Sequence, residues 1–221
     1  MEQGWYRLLF AHWAFSVSQL RSLVPDELEI DTSDGNAWIS LTPFEARVRP
    51  RGLGSINRLW SFPELNCRTY VRYGGIPGVY FFSLDAGSLL AVLGARTLYH
   101  LPYFHSKMEI DTVNSEIHYR CKRTLSSASF YAEYEPKPTR SRAVNGSLEH
   151  WLTERYCLYT VTKRTVLRSE IHHLPWDLQD VRAEFHQNTI ATAAGLSLSA
   201  SPDLAQYAER QEVLIWPPYA A

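Results

Sequence analysis

The pattern of hydrophobic and polar positions along the chain predicts mostly β-strands, many of them joined in hairpins. Three pairs of strand-like segments each enclose a short turn rich in polar residues or glycine: Leu28–Thr32 with Ala37–Thr42, Glu64–Arg72 with Val79–Asp85, and Tyr156–Val161 with Thr165–His173. Single strands are predicted at Met108–Asp111, Glu116–Lys122, Ser129–Tyr134 and Glu212–Trp216. The run Val79–Phe82 is apolar at every position, which is typical of a central strand buried on both faces.

Helix signals are few and short. The clearest helix runs from Leu89 to about Tyr99, with Asp85 or Ser88 as its N-cap and Pro102 beyond its end. Shorter helices are predicted after Ser16 or Ser18 up to Val24, at Leu148–Glu154 and at Asn188–Ala194. The polar segment Glu135–Gly146 is predicted to be a loop and is the candidate for a lid.

This succession of hairpins with few helices indicates an α+β fold that is mainly antiparallel β, arranged as a curled sheet or barrel. No internal repeat, low-complexity tract or break in composition divides the 221 residues. We therefore expect one domain that spans residues 1–221.

The composition mainly excludes some classes of partner and location. The 22 basic and 23 acidic residues give a formal net charge of −1, which argues against a nucleic-acid partner because affinity for a phosphate backbone depends on a basic excess. The apolar stretch Trp5–Phe15 lacks the basic start and cleavage site of a signal peptide. No run reaches the roughly 20 apolar residues of a membrane span. We expect a cytoplasmic protein that makes no membrane contact.

Cysteine, histidine and lysine usage narrows the chemistry further. The three cysteines, Cys67, Cys121 and Cys157, are widely spaced, which favours free thiols that pack as small hydrophobic groups and have no catalytic role. His-Glu-x-x-His and Cys-x-x-Cys are absent, and the adjacent His172 and His173 must point to opposite faces of a strand. No metal or other cofactor is expected. Only four lysines, Lys107, Lys122, Lys137 and Lys163, could form a Schiff base.

A row of polar side chains is the main candidate for a ligand site. Glu64, Asn66, Arg68, Tyr70 and Arg72 share one face of an extended strand. The row fits either a polar ligand in a cavity or the solvated outer face of an antiparallel sheet. The apolar run on the neighbouring strand favours the cavity, because it indicates a sheet covered on both sides. Inside a cavity, Glu64 and Arg68 should form a buried or half-buried charge pair, since an isolated buried charge is costly.

A second row comprises Tyr103, His105, Lys107 and Glu109. Burial could bring the pKa of such a phenol or imidazole near neutrality for acid–base work, whereas a strand edge in water would make the row inert. We expect Lys107, beside Glu109, to be an ordinary protonated lysine.

Two further sets carry weaker signals. Arg168, Glu170 and His172 share one face of a predicted strand. The other set, Arg47, Arg49 and Arg51, suits a bound carboxylate or phosphate, although a solvated loop is the commoner explanation of such a run.

Several segments, taken in order, resemble the YqjF-like family of uncharacterised bacterial proteins over nearly the whole chain. They are Trp5–Trp13, Asp34–Trp38, Glu64–Val71, Gly78–Asp85, Ala95–Arg96, Leu101–Tyr103, Glu154–Tyr156 and Glu170–Trp176. That family is similar in fold to acetoacetate decarboxylase, so the resemblance implies a cone-like antiparallel barrel with a central cavity.

The same resemblance separates this chain from the decarboxylase reaction. The decarboxylase carries a Schiff-base lysine and a second lysine side by side after a proline, and the corresponding stretch here is Ala95–Phe104. Tyr103 and Phe104 stand in place of the two lysines, so the Schiff-base mechanism is not implied. Glu64 is placed at the acidic residue of the decarboxylase's pocket strand.

Together these features predict a cavity that binds a small organic acid or carbonyl compound. The candidate ligand-binding residues are Asn66, Arg68, Tyr70 and Arg96, and the candidates for proton transfer are Glu64, Tyr103 and His105. An enzyme of this kind would be lyase-like and would not use a Schiff base. The alternative is a non-catalytic binding or sensing protein with the same cavity. The sequence leaves open whether the chain forms homo-oligomers.

Overall fold

The computed structural model describes residues 1–49 and 60–221. In chain order its elements are β1 (Glu2–Phe15), α1 (Val17–Arg21), β2 (Glu29–Ile30), β3 (Ala37–Arg49), β4 (Trp60–Tyr73), β5 (Ile76–Ala86), α2 (Leu89–Leu98), β6 (Tyr103–Val113), β7 (Glu116–Arg123), β8 (Ser129–Ser141), α3 (Leu148–Thr153), β9 (Cys157–Thr162), β10 (Thr165–His173), β11 (Leu178–Asn188), α4 (Thr189–Ala193), β12 (Leu204–Ile215) and β13 (Tyr219–Ala220).

All thirteen strands of the described residues belong to one mixed sheet, in the order β13-β10-β9-β5-β6-β7-β8-β11-β12-β1-β3-β4-β2. Two additional pairings, of β5 with β4 and of β10 with β12, close the sheet on itself in a ring-like arrangement. Neighbouring strands are antiparallel except where β5 runs parallel to β6 and to β9. The expected α+β class, mainly antiparallel, is confirmed.

Strand β5 pairs with three other strands. One edge of this strand pairs with β4, while its other edge pairs with β9 at Val79 and Tyr80 and with β6 from Leu84 onward. Val79 and Leu84 are buried in one hydrophobic cluster, whereas Tyr80 packs against a different and larger one. The run that the sequence marked as apolar on both faces is therefore a central strand, as predicted.

In the neighbouring strands, successive side chains also pack against different clusters on the two faces of the sheet. In β1, Leu9 and Trp13 belong to the larger core cluster, while Leu8 and Phe10 belong to a second cluster on the opposite face. The layer formed by β1, β3, β4 and β5 is thus covered on both sides. Polar side chains that this covering buries, such as Glu64 at 5% exposure, need partners inside the protein.

The second and third predicted hairpins form. β4 and β5 turn tightly at Gly74 and Gly75, whose φ angles of 57° and 76° lie in the region that favours glycine. β9 and β10 pair across Lys163 and Arg164. The first hairpin was wrong: Ser33–Asn36 makes a turn, but β2 pairs with β4. Both edges of β3 are already occupied, by β1 and β4, so β2 must find another partner.

The segment Glu135–Gly146 is not the predicted loop over its first half. β8 continues to Ser141 and pairs with β11, with Leu178 opposite Ser141. The sequence pattern did not indicate β11, so the partner that keeps this polar stretch extended was missed.

Helix α2 begins where its capping residue predicts. The Ser88 hydroxyl accepts a hydrogen bond from the Ala91 N–H at 3.4 Å. Asp85, the other candidate cap, instead lies fully buried in an ion pair with Arg123, at 2.8 Å from Nε to Oδ1 and 2.9 Å from Nη2 to Oδ2. The Ser106 hydroxyl also donates to Asp85. Among the described residues, no helix has both the length and the apolar character needed to cross a membrane.

We predict that Arg123→Met destabilises the fold by about 3 kcal/mol or more, because it leaves the Asp85 carboxylate buried without its charge partner. Urea unfolding would measure the loss. The control is Arg120→Met, which breaks a half-exposed pair with Asp111 of 3.8 Å and should cost less than about 1 kcal/mol. Equal losses in the two variants would contradict a dominant role for the buried pair.

Candidate functional site

A cavity of about 440 Å³ lies on the face of the β1–β3–β4–β5 layer opposite the larger core. Alternate residues of each strand reach it: Leu8 and Phe10 from β1, Phe44 from β3 and Phe81 from β5. β10, β12 and α2 complete the wall. This volume lies within the range of small-molecule binding sites.

Three residues of β4 bring polar groups into the cavity. Glu64, Asn66 and Arg68 line it, while the intervening Leu65 and Cys67 face the larger core. The strand geometry expected from the sequence is therefore present. The first row is not a solvated outer face, because Glu64 and Asn66 are 5% and 6% exposed.

Glu64 is a buried carboxyl whose partner is a phenol. The Tyr103 hydroxyl donates a hydrogen bond of 3.1 Å to Glu64 Oε1. Burial raises the pKa of Glu64 to about 7, although hydrogen bonds from Tyr103 and Asn66 act in the opposite direction. The expected charge pair with Arg68 was wrong: among the described residues Glu64 forms no ion pair. Since the raised pKa leaves Glu64 about half protonated near neutral pH, and the Tyr103 hydroxyl donates to it, its burial does not require a cation.

Arg68 brings a positive charge into this cavity without a counterion. No acidic side chain in the described part of the chain pairs with it, and its Nε is buried and lacks a hydrogen-bond partner. The guanidinium carbon lies 5.8 Å from the ring centres of both Phe10 and Tyr70. The aromatic faces stabilise the cation in part, but the polar N–H groups remain available to an anion.

A second arginine, which the sequence analysis did not select, also reaches the cavity. Arg155 follows α3, and its Nη1 lies 2.6 Å from Asp31 Oδ2, while Arg72 occupies the other oxygen of Asp31. Arg155 Nη2 is buried without a partner and Arg155 lines the cavity. No local pattern marked Arg155, because Asp31 lies 124 positions earlier in the chain.

Behind Arg68 lies a buried hydrogen-bonded chain that the sequence analysis also missed. His12 Nδ1 lies 2.5 Å from the Ser40 hydroxyl, which lies 2.6 Å from the Tyr70 hydroxyl. Burial, and secondarily the charge of Arg68, holds the pKa of His12 well below its usual range. His12 is therefore a neutral histidine at physiological pH. Tyr70 belongs to this chain and does not line the cavity.

Two predicted site residues lie outside the cavity. The His105 ring contacts the Thr124 hydroxyl away from the cavity, and of the β6 residues only Tyr103, at the start of the strand, lines the cavity. Arg96 is exposed on α2, and its Nε donates to the Tyr103 carbonyl at 2.7 Å. Arg96 thus supports the backbone of Tyr103 from outside.

Every lysine of the chain lies on the surface. Lys107, Lys122, Lys137 and Lys163 are all exposed, and none of them lines the cavity. The three cysteines are free and buried, and burial raises the pKa of Cys67 and of Cys121 to about 12, which opposes thiolate chemistry.

The two weaker candidate sets of the sequence analysis lie mostly on the surface. Arg168 pairs with Glu170 at 2.8 Å on the outside of β10, while His173 turns inward, lines the cavity and contacts the Leu174 carbonyl through Nδ1. Arg47 pairs with Glu45, and Arg51 lies outside the described residues. In the described part of the chain, no group of histidine, cysteine and carboxylate side chains could hold a metal ion.

Comparison with known proteins places the chain in a family. The model of the DUF2071 family, described as an uncharacterized conserved protein, matches residues 2–212. The chain belongs to this family. It is also 49% identical over 219 residues to the uncharacterized protein YqjF of Bacillus subtilis (strain 168), across 98% of this chain and 90% of that protein.

Solved structures share the fold at low sequence identity. Acetoacetate decarboxylase from Legionella pneumophila is 11% identical with a TM-score of 0.66, covering 100% of this chain and 87% of that one. The enduracididine biosynthesis enzyme MppR, complexed with pyruvate, is 10% identical with a TM-score of 0.68, covering 99% and 89%. At such identities the likeness shows the acetoacetate decarboxylase-like fold alone.

Glu64 should make stability depend on pH in a defined direction. Its pKa is about 7 in the folded protein and near 4.5 when unfolded, so the folded state holds its proton more tightly. Its contribution is fully present below about pH 4.5, declines as pH rises and is lost above about pH 7, a change of about 3 kcal/mol. We predict that Glu64→Gln gains this amount relative to the parent between pH 5 and pH 8 in urea unfolding. Parallel pH profiles would show that Glu64 ionises normally.

Proposed function

We propose that this protein binds a small organic acid or carbonyl compound in the cavity, with Arg68 as the anchor for the ligand's negative charge. The observation that carries the proposal is the buried Arg68 Nε, which has no partner among the described residues although Arg68 lines a cavity. Guanidinium groups suit carboxylates because their N–H groups match two oxygens. An anionic ligand would supply the missing counterion.

A neighbouring N–H group fits the same ligand. Arg155 Nη2 is also buried on the cavity wall and has no partner among the described residues. Asn66 Oδ1 is likewise buried and unpartnered there, but as an acceptor it suits a hydroxyl or N–H of the ligand and not its carboxylate.

Arg155 and Asp31 form a pair in which both side chains are 4% exposed, whereas Arg72, the other partner of Asp31, is 41% exposed and is solvated. The free N–H of Arg155 therefore adds a hydrogen bond more than it adds net charge. With Glu64 about half protonated near neutral pH, Arg68 provides the excess positive charge of this set. A monoanion balances it best.

Glu64 and Tyr103 are the groups that could move a proton on the bound ligand. A pKa of about 7 lets the Glu64 carboxyl act as acid or base near neutrality, and the Tyr103 hydroxyl is already bonded to it. Such chemistry would proceed without a Schiff base, because no lysine reaches the cavity. Removal of a proton next to a ligand carbonyl would transfer that proton to Glu64 and leave an enolate beside Arg68.

The binding proposal predicts thermal stabilisation by small acids. Pyruvate, acetoacetate and butyrate are the probes, and one present at 100 times its dissociation constant should add about 2.7 kcal/mol to the free energy of unfolding. Arg68→Met should abolish this effect while leaving the ligand-free fold as stable as the parent or more so, since an unpaired charge is removed.

The matched control is Arg96→Met, which removes an exposed arginine and should retain stabilisation by the acids. If the Arg68→Met variant is stabilised as much as the parent, or if no carboxylate of any chain length stabilises the parent, the anchoring role of Arg68 is wrong.

Acid–base chemistry and mere binding make different predictions for a bound carbonyl compound. In D₂O, NMR should show that the protein accelerates deuterium exchange at the methyl group of pyruvate, and that Glu64→Gln stops this acceleration without abolishing binding. Bound pyruvate that exchanges only at the buffer rate would favour the non-catalytic binding or sensing protein.

A further inference from the structure

Away from the polar groups of β4 and Arg155, most of the cavity wall is hydrophobic. Its aromatic and aliphatic side chains include Phe44, Phe62, Leu84, Leu101, Ile171 and Trp176. Such a wall cannot hydrogen-bond a ligand and gains free energy only when apolar surface covers it. A ligand that consisted only of a carboxylate and a carbonyl would leave it exposed.

Helix α2 contributes small residues to this wall. Leu90, Ala91, Gly94, Ala95 and Leu98 fall on one face of the helix, and all five line the cavity. The remaining exposed positions, Leu89, Leu93, Arg96 and Thr97, fall on the opposite face. A Cβ added at Gly94 would meet no atom of the described residues within 4 Å. These residues therefore leave free space in the cavity directly beside α2.

The cavity is also larger than a three-carbon acid requires. A volume of about 440 Å³ corresponds to roughly 15 water molecules at about 30 Å³ each. A molecule the size of pyruvate, with roughly six non-hydrogen atoms, would fill less than half of it. The boundary toward solvent is apolar as well, since Leu90 and Leu98 line the cavity and are 66% and 67% exposed.

We infer that the natural ligand is an amphipathic monocarboxylate, with its charged end at Arg68 and an apolar chain that extends to the small-residue face of α2. This inference rests on the proposed anchoring role of Arg68 and adds the class of ligand. Because Arg68 is the one cation here without a counterion among the described residues, we infer a ligand with a single negative charge. Because most of the wall is hydrophobic, we infer that the rest of the ligand is apolar. The space beside Gly94 sets a chain longer than that of a three- or four-carbon acid.

Straight-chain carboxylates from propionate to decanoate are the probes, with binding measured by calorimetry on the full chain. Affinity should rise up to about fourfold per added methylene until the chain fills the cavity, since each buried methylene contributes about 0.8 kcal/mol. 1-Octanol should bind more weakly than octanoate because it lacks the charge.

Gly94→Leu fills the space beside α2 and should weaken octanoate at least tenfold while affecting propionate far less. The control Thr97→Leu adds the same side chain on the exposed face of the same helix, and octanoate should bind it as it binds the parent. Replacing glycine within a helix favours the helix, so the Gly94→Leu variant should fold.

The outcomes separate the two proposals. Acids that bind through Arg68 with no dependence on chain length, or equal effects of Gly94→Leu and Thr97→Leu, overturn the inference and leave the binding proposal intact. If no carboxylate of any length binds the parent, or if all bind the Arg68→Met variant, the anchoring role itself fails.

Discussion

The burial of β4 on both faces is the constraint from which the candidate site follows. A strand covered on one side presents its polar residues to water, but the layer of β1, β3, β4 and β5 has a hydrophobic cluster against each face. Leu65 and Cys67 fill one side, so Glu64, Asn66 and Arg68 must be accommodated on the other. The protein does this with a cavity, where polar groups can serve a ligand instead of solvent.

The charges of Asp85, Glu64 and Arg68 are accommodated in three different ways. Asp85 is neutralised by a two-point ion pair with Arg123, which stabilises the fold. Glu64 is accommodated by a raised pKa and a phenol donor. Arg68, which is half-buried, has aromatic neighbours and no carboxylate partner among the described residues. Only this last arrangement has an energetic cost that the proposed anionic ligand would relieve.

The cavity lies within an acetoacetate decarboxylase-like fold, but its side chains do not include the lysine pair that Schiff-base chemistry would need. The position that the resemblance assigns to a lysine pair carries Tyr103 and Phe104, and Tyr103 turns into the cavity to bond Glu64. A lysine amine can form a covalent adduct with a carbonyl, whereas a tyrosine–glutamate pair can only donate, accept or exchange protons. The same fold is thus compatible with proton transfer or with binding alone, and in our proposal the hydrophobic wall and α2 select the ligand.

The sequence by itself determined the fold class, the β4–β5 and β9–β10 hairpins, helix α2 and the common face of Glu64, Asn66 and Arg68, because local alternation and turn residues encode these features. The pairing of β2 with β4, strand β11 and the inward turn of Tyr103 depend on which strand edges remain free, which only the closed sheet decides. The same is true of Arg155, held by Asp31 from far along the chain, and of the buried His12. The absent pair between Glu64 and Arg68 follows from the raised pKa of Glu64 and its hydrogen bond to Tyr103, a contact that residue spacing does not indicate.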